Sequence, residues 1–176
     1  MDKLFLHVCC APCSILVIDY FKDKFDLFMF FYNPNIHPYK EYEQRLKSFK
    51  DYMNSLNFEY LIGEYDYKDY FSNINQNIEN RCVFCYQLRL NETARKAKEM
   101  KINFFSTTMI YSIYQKHDLI KKIGEIIGKE YGLNFVYYDL RDKYFVGKKK
   151  AIELDLYRQK YCGCVFSEIE RYNKKR

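Results

Sequence analysis

Seven cysteines fall into three tight groups along the chain, and each cysteine belongs to one of these groups. The groups are Cys9, Cys10 and Cys13, then Cys82 and Cys85, and then Cys162 and Cys164. Clustered thiols invite oxidation and bind soft metal ions, so the grouping indicates a functional role. The pattern predicts a metal site, a metal–sulfur cluster or thiol redox chemistry.

The motif Cys82-x-x-Cys85 opens a segment predicted to be helical, which brings two thiolates within reach of one centre. The positive end of the helix and the neighbouring Arg81 would lower the pKa of both thiols. Zinc sites, iron–sulfur clusters and thioredoxin-type redox sites all use this spacing. A thioredoxin-type site is disfavoured, because the motif lies in mid-chain and the remaining cysteines would be unexplained.

The adjacent pair Cys9-Cys10 discriminates better between these chemistries. A few residues normally separate the paired ligands of a tetrahedral zinc ion, whereas adjacent thiolates suit a polynuclear cluster. Together with Cys82 and Cys85, the pair makes a set of four thiolates that suits a 4Fe–4S cluster. A structural zinc site built from Cys13 with Cys82 and Cys85 is the alternative that the spacing leaves open.

The third group, Cys162-Gly163-Cys164, has a different geometry. Cysteines two positions apart can approach closely enough for a disulfide, and the glycine permits the bend. Because the ring would be small, the disulfide would be strained and readily reduced, which predicts a redox-active pair. The alternative is that both thiols are further metal ligands.

Short apolar runs alternate with longer segments of helical periodicity, and these elements must position the thiols. The predicted strands are 3–8, 27–32, 60–62, 103–107 and 135–138, and the predicted helices are 14–21, 39–56, 82–100 and 119–131. This order predicts an α/β fold with a mostly parallel sheet flanked by helices. Since Cys9 and Cys10 directly follow the first strand, we expect the metal site at the C-terminal ends of the strands.

Length and hydropathy restrict the class of protein further. The 176 residues fit one domain, 1–176, that can bury a sizeable core. The apolar stretch before Cys9 is too short for a signal peptide, and no segment has the roughly 18 apolar residues of a membrane span. We therefore expect a cytoplasmic protein with no membrane partner, in a compartment where structural disulfides are rare.

The net charge of +6 is unevenly distributed. Residues 141–176 hold 11 Lys or Arg against 5 Asp or Glu, whereas residues 1–140 hold 18 of each. A basic C-terminal segment indicates a phosphate-rich partner such as RNA. For the terminal Lys174 to Arg176 a solvated tail is the better interpretation, and for Lys148 to Lys150 an exposed helix surface is an equal alternative.

Four segments, LHVCCAPCS, FYNPNIHP, RCVFCYQLRL and LDLYRQKYCGCVFSE, resemble the QueH family of epoxyqueuosine reductases in order and spacing. The resemblance covers nearly the whole chain. It implies an oxidoreductase that converts epoxyqueuosine to queuosine at the wobble position of tRNA with a GUN anticodon, the last step of queuosine biosynthesis. It also implies an electron donor, which the sequence does not identify.

The resemblance also implies roles for particular residues. It implies a 4Fe–4S cluster on Cys9, Cys10, Cys82 and Cys85, a redox-active disulfide between Cys162 and Cys164, and a second iron with Cys13 and Asp139 as candidate ligands. Three side chains are candidate proton donors to the product, although a structural role is the favoured interpretation of each: His37, Tyr111 and Tyr161.

Two other classes of protein remain as alternatives. A zinc-stabilised RNA-binding module without catalysis would explain the basic charge and the C-x-x-C motif, but would leave Cys9-Cys10 and the C-G-C pair without a role. A tRNA sulfur transferase of the PP-loop type would also open on a strand and a loop of small residues. The segment CCAPCS lacks the glycine-rich phosphate cradle that such a protein needs.

Overall fold

The computed structural model describes residues 1–74 and 77–173. Its strands are β1 (Lys3–His7), β2 (Asp26–Phe31), β3 (Tyr60–Ile62), β4 (Phe104–Thr107) and β5 (Asn134–Phe135). Its helices are α1 (Ala11–Phe21), α2 (Tyr39–Ser55), α3 (Tyr67–Ile74), α4 (Arg81–Glu99), α5 (His117–Tyr131), α6 (Tyr144–Glu153) and α7 (Val165–Tyr172). No helix in the described ranges is long and apolar enough to cross a membrane.

The strands form one sheet in the order β3-β2-β1-β4-β5, and all four pairings are parallel. This confirms the predicted α/β fold with its flanking helices. The last strand is shorter than predicted, because after Phe135 only the amide of Val136 still bonds across to the neighbouring strand, at Phe105. The helices α3, α6 and α7 lie outside the predicted elements, because their eight to ten residues are shorter than the window of about 11–18 residues over which helical periodicity is recognised.

The two central strands are buried on both faces, which explains why they are continuous apolar runs and do not alternate with polar residues. Leu4, Phe5 and Leu6 of β1 and Met29 and Phe30 of β2 are completely buried. At about 1.5–3 kcal/mol for each large apolar side chain removed from water, these strands supply much of the stability of the fold. The sheet is therefore a rigid support for the loops at its edge.

The chain turns from β1 toward β2 and later returns to place β4 on the other side of β1. Parallel sheets of this kind bind ligands in the crevice where the strand order reverses, beyond the carboxyl ends of the strands. Here that crevice lies between Cys9, which follows β1, and Thr108, which follows β4. The backbone N–H of Cys9 donates to the hydroxyl oxygen of Thr108 at 3.1 Å, and that hydroxyl donates to the Cys9 sulfur at 3.3 Å.

Candidate thiol and metal site

Cys9, Cys10 and Cys13 form a compact group whose sulfur atoms all lie within 4.8 Å of one another. The start of α1 creates this geometry. Cys10 is the N-cap of the helix, and its sulfur accepts the backbone N–H of Cys13 at 3.4 Å. Pro12 favours the helical start, because its missing N–H is not needed in the first turn. Cys10 and Cys13 are buried and Cys9 is half-buried.

The three thiols differ in their readiness to ionise. Hydrogen bonds from Cys10 and Cys13 hold the pKa of Cys9 well below its usual range. Burial raises the pKa of Cys10, and the hydrogen bond with Cys10 raises that of Cys13. Cys9 is therefore the thiol of the group that ionises most readily, and a bound cation would favour ionisation of all three.

Cys82 and Cys85 occupy the first turn of α4, and Cys85 is buried. One helical turn later, Arg89 folds back so that its Nη2 atom donates to the Cys85 sulfur at 3.2 Å. Burial raises the pKa of Cys85 to about 12, and the Arg89 guanidinium opposes that rise. Neither Cys82 nor Cys85 belongs to the compact group at the start of α1.

Arg89 is only 3% exposed, and it makes no ion pair with a carboxylate in the described part of the chain. A buried guanidinium without a counter-ion costs several kcal/mol. The groups that keep Arg89 protonated, despite its burial, are first Cys85 and then Cys162 and Cys9. Arg89 is thus a buried positive charge in contact with the Cys85 sulfur, and it is close enough to Cys162 and Cys9 to interact with them electrostatically.

The third group lies in the loop before α7, where Cys162 is exposed and Cys164 is buried. Arg45 of α2, itself 2% exposed, holds this loop: its Nη1 atom donates to the Cys162 carbonyl at 2.8 Å and its Nη2 atom to that of Tyr161 at 3.0 Å. The Cys164 sulfur caps α7 by accepting the backbone N–H of Ser167 at 3.4 Å. Both thiols are free.

Two glutamines contact the sulfur atoms directly. The Gln159 Nε2 atom donates to the Cys10 sulfur at 2.9 Å and lies 3.7 Å from that of Cys13. The Gln115 Nε2 atom donates to the Cys162 sulfur at 3.3 Å. These amides connect the loop after β4 and the C-terminal segment to the thiols.

The structure therefore places Cys9, Cys10 and Cys13 together at the carboxyl edge of the sheet, whereas Cys85 and Cys164 lie in a second buried cluster, where Arg89 contacts Cys85. Asp139 is placed differently. Its carboxylate pairs with Arg141, which holds the pKa of Asp139 at about 2, and lies 3.8 Å from the His117 Nδ1 atom. Asp139 lies outside the compact cysteine group. Its role as an iron ligand stays a prediction, and it would require the ion pair with Arg141 to open.

The three candidate proton donors are all engaged in structural bonds. The Tyr111 hydroxyl donates to the Tyr144 carbonyl at 2.6 Å, and the Tyr161 hydroxyl donates to the His37 carbonyl. The His37 Nδ1 atom accepts the backbone N–H of Val165 at 3.3 Å, and burial lowers the pKa of His37 to about 4. These contacts agree with the structural interpretation favoured from the sequence.

Sequence reasoning missed Arg89, Gln159 and Thr108. The four-residue spacing from Cys85 to Arg89 places both on one helix face, so the pattern contained that contact. The contacts of Gln159 with Cys10 and of Thr108 with Cys9 span 149 and 99 residues, so local patterns could not reveal them.

Gly163 is expected to be essential to the position of the C-G-C pair. Its φ is 154°, which side chains rarely adopt, and an added Cβ would lie 3.2 Å from Ile36 and 3.4 Å from Arg45. We expect Gly163→Ala to destabilise the fold by about 1–3 kcal/mol and to lower turnover. Gly132→Ala is the matched control, because φ at Gly132 is 69° but no atom lies within contact distance of an added Cβ. This variant should lower the free energy of unfolding by about 1 kcal/mol and leave turnover unchanged. Turnover and thermal unfolding should be measured for both variants. Equal turnover in the two variants would contradict the role of Gly163 in positioning the C-G-C pair.

The parallel sheet and the thiols at its switch point define an α/β protein with a sulfur-rich site suited to soft metals. The structure of the U34-tRNA thiolase NcsA from Methanococcus maripaludis, with its 4Fe-4S cluster, matches at a TM-score of 0.62 and 18% identity. That match covers 94% of this chain and 61% of the thiolase chain. A predicted subunit of tRNA methyltransferase from Methanocaldococcus jannaschii matches at a TM-score of 0.57 and 12% identity, over 87% of this chain and 76% of that one.

The family described as Epoxyqueuosine reductase QueH matches residues 4–170. The relative with that name from Dehalococcoides mccartyi is 40% identical over 98% of this chain and 96% of its own length. The relative from Thermotoga maritima is 35% identical over 99% of this chain and 94% of its own length. The chain belongs to the QueH family of epoxyqueuosine reductases, which are oxidoreductases. The resemblance noted in the sequence is thereby confirmed.

Proposed function

We propose that this protein reduces epoxyqueuosine in tRNA to queuosine, with a 4Fe–4S cluster and a redox-active cysteine pair. One observation carries the proposal. Cys9, Cys10 and Cys13 form a compact group at the switch point of the sheet, and the buried guanidinium of Arg89, which contacts Cys85, is close enough to Cys9 and Cys162 to interact with them electrostatically. A site of this composition, in a family of epoxyqueuosine reductases, is suited to electron transfer.

The donor set fits an iron–sulfur cluster. The sulfur atoms of Cys9 and Cys10 lie within 4.8 Å of each other, Cys10 and Cys85 are buried, and the Arg89 guanidinium beside Cys85 opposes the rise in its pKa that burial causes. We assign Cys9, Cys10, Cys82 and Cys85 to the cluster. A cluster bound there would supply electrons one at a time. The NcsA thiolase carries a cluster on the same fold, so the fold is compatible with one.

Cys13 is left over from that set, although its sulfur lies with those of Cys9 and Cys10. We assign it to a second iron, with Asp139 as the candidate carboxylate ligand. Such an ion would act as a Lewis acid toward an oxygen atom of the substrate. Gln159, whose amide N–H reaches both Cys10 and Cys13, would keep the two sulfur atoms oriented.

The stoichiometry explains the need for the third group. Removal of an epoxide oxygen breaks both C–O bonds and, with two electrons and two protons, yields an alkene and water. Oxidation of the Cys162/Cys164 dithiol to a disulfide releases two electrons and two protons, so one cycle of the pair balances one reduction. A separate electron donor must then reduce the disulfide. The exposure of Cys162 leaves that thiol accessible to such a donor.

The tRNA backbone needs basic contacts, and the three neighbouring lysines are not equivalent. Lys150 pairs with Asp19 at 2.7 Å and Lys149 lies 3.9 Å from Glu153. Lys148 is exposed and makes no ion pair within the described residues. Of the three, Lys148 therefore has the charge most available to a phosphate. Lys174 to Arg176, at the end of the basic segment, lie outside the described residues.

The proposal is tested by anaerobic purification followed by metal, sulfide and turnover measurements. We expect iron with acid-labile sulfide, and conversion of epoxyqueuosine in tRNA when a chemical reductant is present. Zinc without sulfide, with RNA binding but no turnover, would instead support the zinc-stabilised binding module. Sulfur transfer to tRNA would support the PP-loop alternative, and the fold of this chain resembles that of the NcsA tRNA thiolase.

A further inference from the structure

A cluster of exposed rings lies where two separate segments meet. Tyr114, in the loop after β4, is 76% exposed, and Phe145, at the start of α6, is 71% exposed. Tyr144 lies between them, with ring centroids 5.8 Å from Tyr114 and 5.4 Å from Phe145. We call these three side chains the aromatic platform. Single exposed apolar residues are normal, but a contiguous group contributed by two segments marks an interaction site.

The aromatic platform lies beside the thiol site. Gln115, the neighbour of Tyr114 in sequence, donates to the Cys162 sulfur at 3.3 Å. On the other side, the ring of Tyr111 packs on that of Tyr144 at 5.4 Å. The thiols Cys10 and Cys13 are close enough to Tyr111 and Tyr144 to add to the rise in their pKa values that burial causes.

The platform is held in place by close packing. An added Cβ on Gly147 would lie 2.4 Å from the Tyr111 hydroxyl, so only glycine lets α6 approach this closely. The Tyr111 hydroxyl also bonds to the Tyr144 carbonyl at 2.6 Å. The backbone beneath the exposed rings is therefore fixed. A rigid aromatic surface orders few side chains on binding, so it loses little conformational entropy.

The surroundings of the platform are moderately basic. Lys116, Lys143 and Lys148 are exposed and make no ion pairs in the residues that the structure describes, while Asp118 and Asp142 are the neighbouring exposed carboxylates. Stacking rings with a modest excess of positive charge are the combination that binds single-stranded nucleic acid. The charge is too low for the phosphates alone to dominate binding, which leaves stacking as the main contribution.

We propose that the aromatic platform stacks the unpaired bases that flank the wobble nucleotide in the anticodon loop, while the wobble base itself enters the thiol site beside Cys162. This inference rests on the proposed function, because it takes tRNA as the substrate. Enzymes that modify a base must extract it from the stack, and stacking its neighbours on protein rings offsets that cost. The platform would thereby bind a single-stranded loop more tightly than a duplex.

The test measures binding of an anticodon stem–loop RNA to the cluster-loaded protein. Tyr114→Ala and Phe145→Ala should each weaken binding about tenfold, with the salt dependence of binding unchanged because no phosphate contact is lost. Tyr172→Ala is the matched control, since that ring is 57% exposed but lies on α7 and stacks on none of the three platform rings, so the affinity of this variant should be unchanged. The fully paired form of the same RNA should bind all four proteins equally weakly.

A second variant reports stacking directly. The chain has no tryptophan, so Phe145→Trp introduces a single indole at the platform. The fluorescence of this indole should be quenched by the stem–loop RNA. The affinity of the Phe145→Trp variant for the RNA should equal that of the wild type, and this result would also show that position 145 tolerates substitution. Absence of quenching, or unchanged affinity in both alanine variants while wild-type protein binds and reduces tRNA, would overturn the platform and leave the proposed function intact.

Two other outcomes distinguish failure of the aromatic-platform proposal from failure of the proposed function. If wild-type protein neither binds the stem–loop nor reduces epoxyqueuosine, the proposed function fails and the platform loses its ligand. If the alanine variants bind RNA normally but lose turnover only with a protein reductant, and recover it with a chemical one, the surface docks the electron donor and the RNA assignment is wrong.

Discussion

Replacing Cys82 with serine is expected to remove the iron–sulfur cluster, and with it the visible absorbance, the acid-labile sulfide and all turnover. Cys82 lies in the first turn of α4, outside the compact group of Cys9, Cys10 and Cys13. Loss of one thiolate from a set of four leaves an iron without its protein ligand and exposes the cluster to solvent. The same result is expected for the Cys85 variant, where burial adds a cost for the unpaired serine hydroxyl.

Cys13→Ser is the matched control for this experiment. Its sulfur lies within 4.8 Å of those of Cys9 and Cys10, yet we assign it to a second iron and not to the cluster. The variant should keep its sulfide and cluster absorbance and lose only part of its iron. Full iron and sulfide in the Cys82 variant, together with loss of the cluster in the Cys13 variant, would show that the cluster binds to the compact group instead.

Replacing Cys162 with serine is expected to leave the cluster intact and to reduce turnover to background. Cys162 is exposed and its sulfur contacts the amide of Gln115, while its backbone is fixed by Arg45. The variant can no longer close a disulfide with Cys164, so the two electrons of the dithiol are lost. Metal content, the cluster spectrum and multiple turnovers should be measured on the same sample.

Two further variants distinguish a redox role of the Cys162/Cys164 pair from a role as metal ligands. Cys164→Ser should behave like Cys162→Ser, whereas Gln115→Ala should retain turnover at a reduced rate, because it removes only a hydrogen bond to the sulfur. A Cys162 variant that loses its iron along with its activity would show that the pair ligates metal, which is the alternative that the C-x-C spacing left open.

The sheet could be predicted from the sequence because it depends on residue patterns within short segments. Five short apolar runs, four of them followed by helical segments, determine a parallel sheet, and right-handed crossovers restrict its order. The position of Cys9 and Cys10 at the carboxyl edge follows from the same argument, as does the placement of Cys85 at the start of a helix. Element ends were less predictable: α1 begins at Ala11 and not at Ser14, because Cys10 caps it through a sulfur atom.

The details of the site were less predictable, because they depend on contacts between distant segments. Nothing near Gln159 in the sequence indicates that its amide reaches Cys10 and Cys13. The partition of the thiols into a compact group of three and a second group around Arg89 depends on how α4 packs against β1, which no local pattern encodes. The ion pair of Lys150 is likewise tertiary, since it reaches Asp19 of α1, whereas the pair of Lys149 with Glu153 is local and spans four residues of α6.

The buried guanidinium of Arg89 also affects the stability of the protein before it binds metal. Before metal binds, this charge lies in the interior without a carboxylate partner in the described part of the chain, and the folded chain bears much of that desolvation cost. An anionic metal–sulfur centre on the neighbouring cysteines would cancel it, so the metal would act as a ligand that binds only the folded state. Newly made chains would then be the least stable form and the first to be degraded, and the supply of iron would set the abundance of the protein as well as its activity.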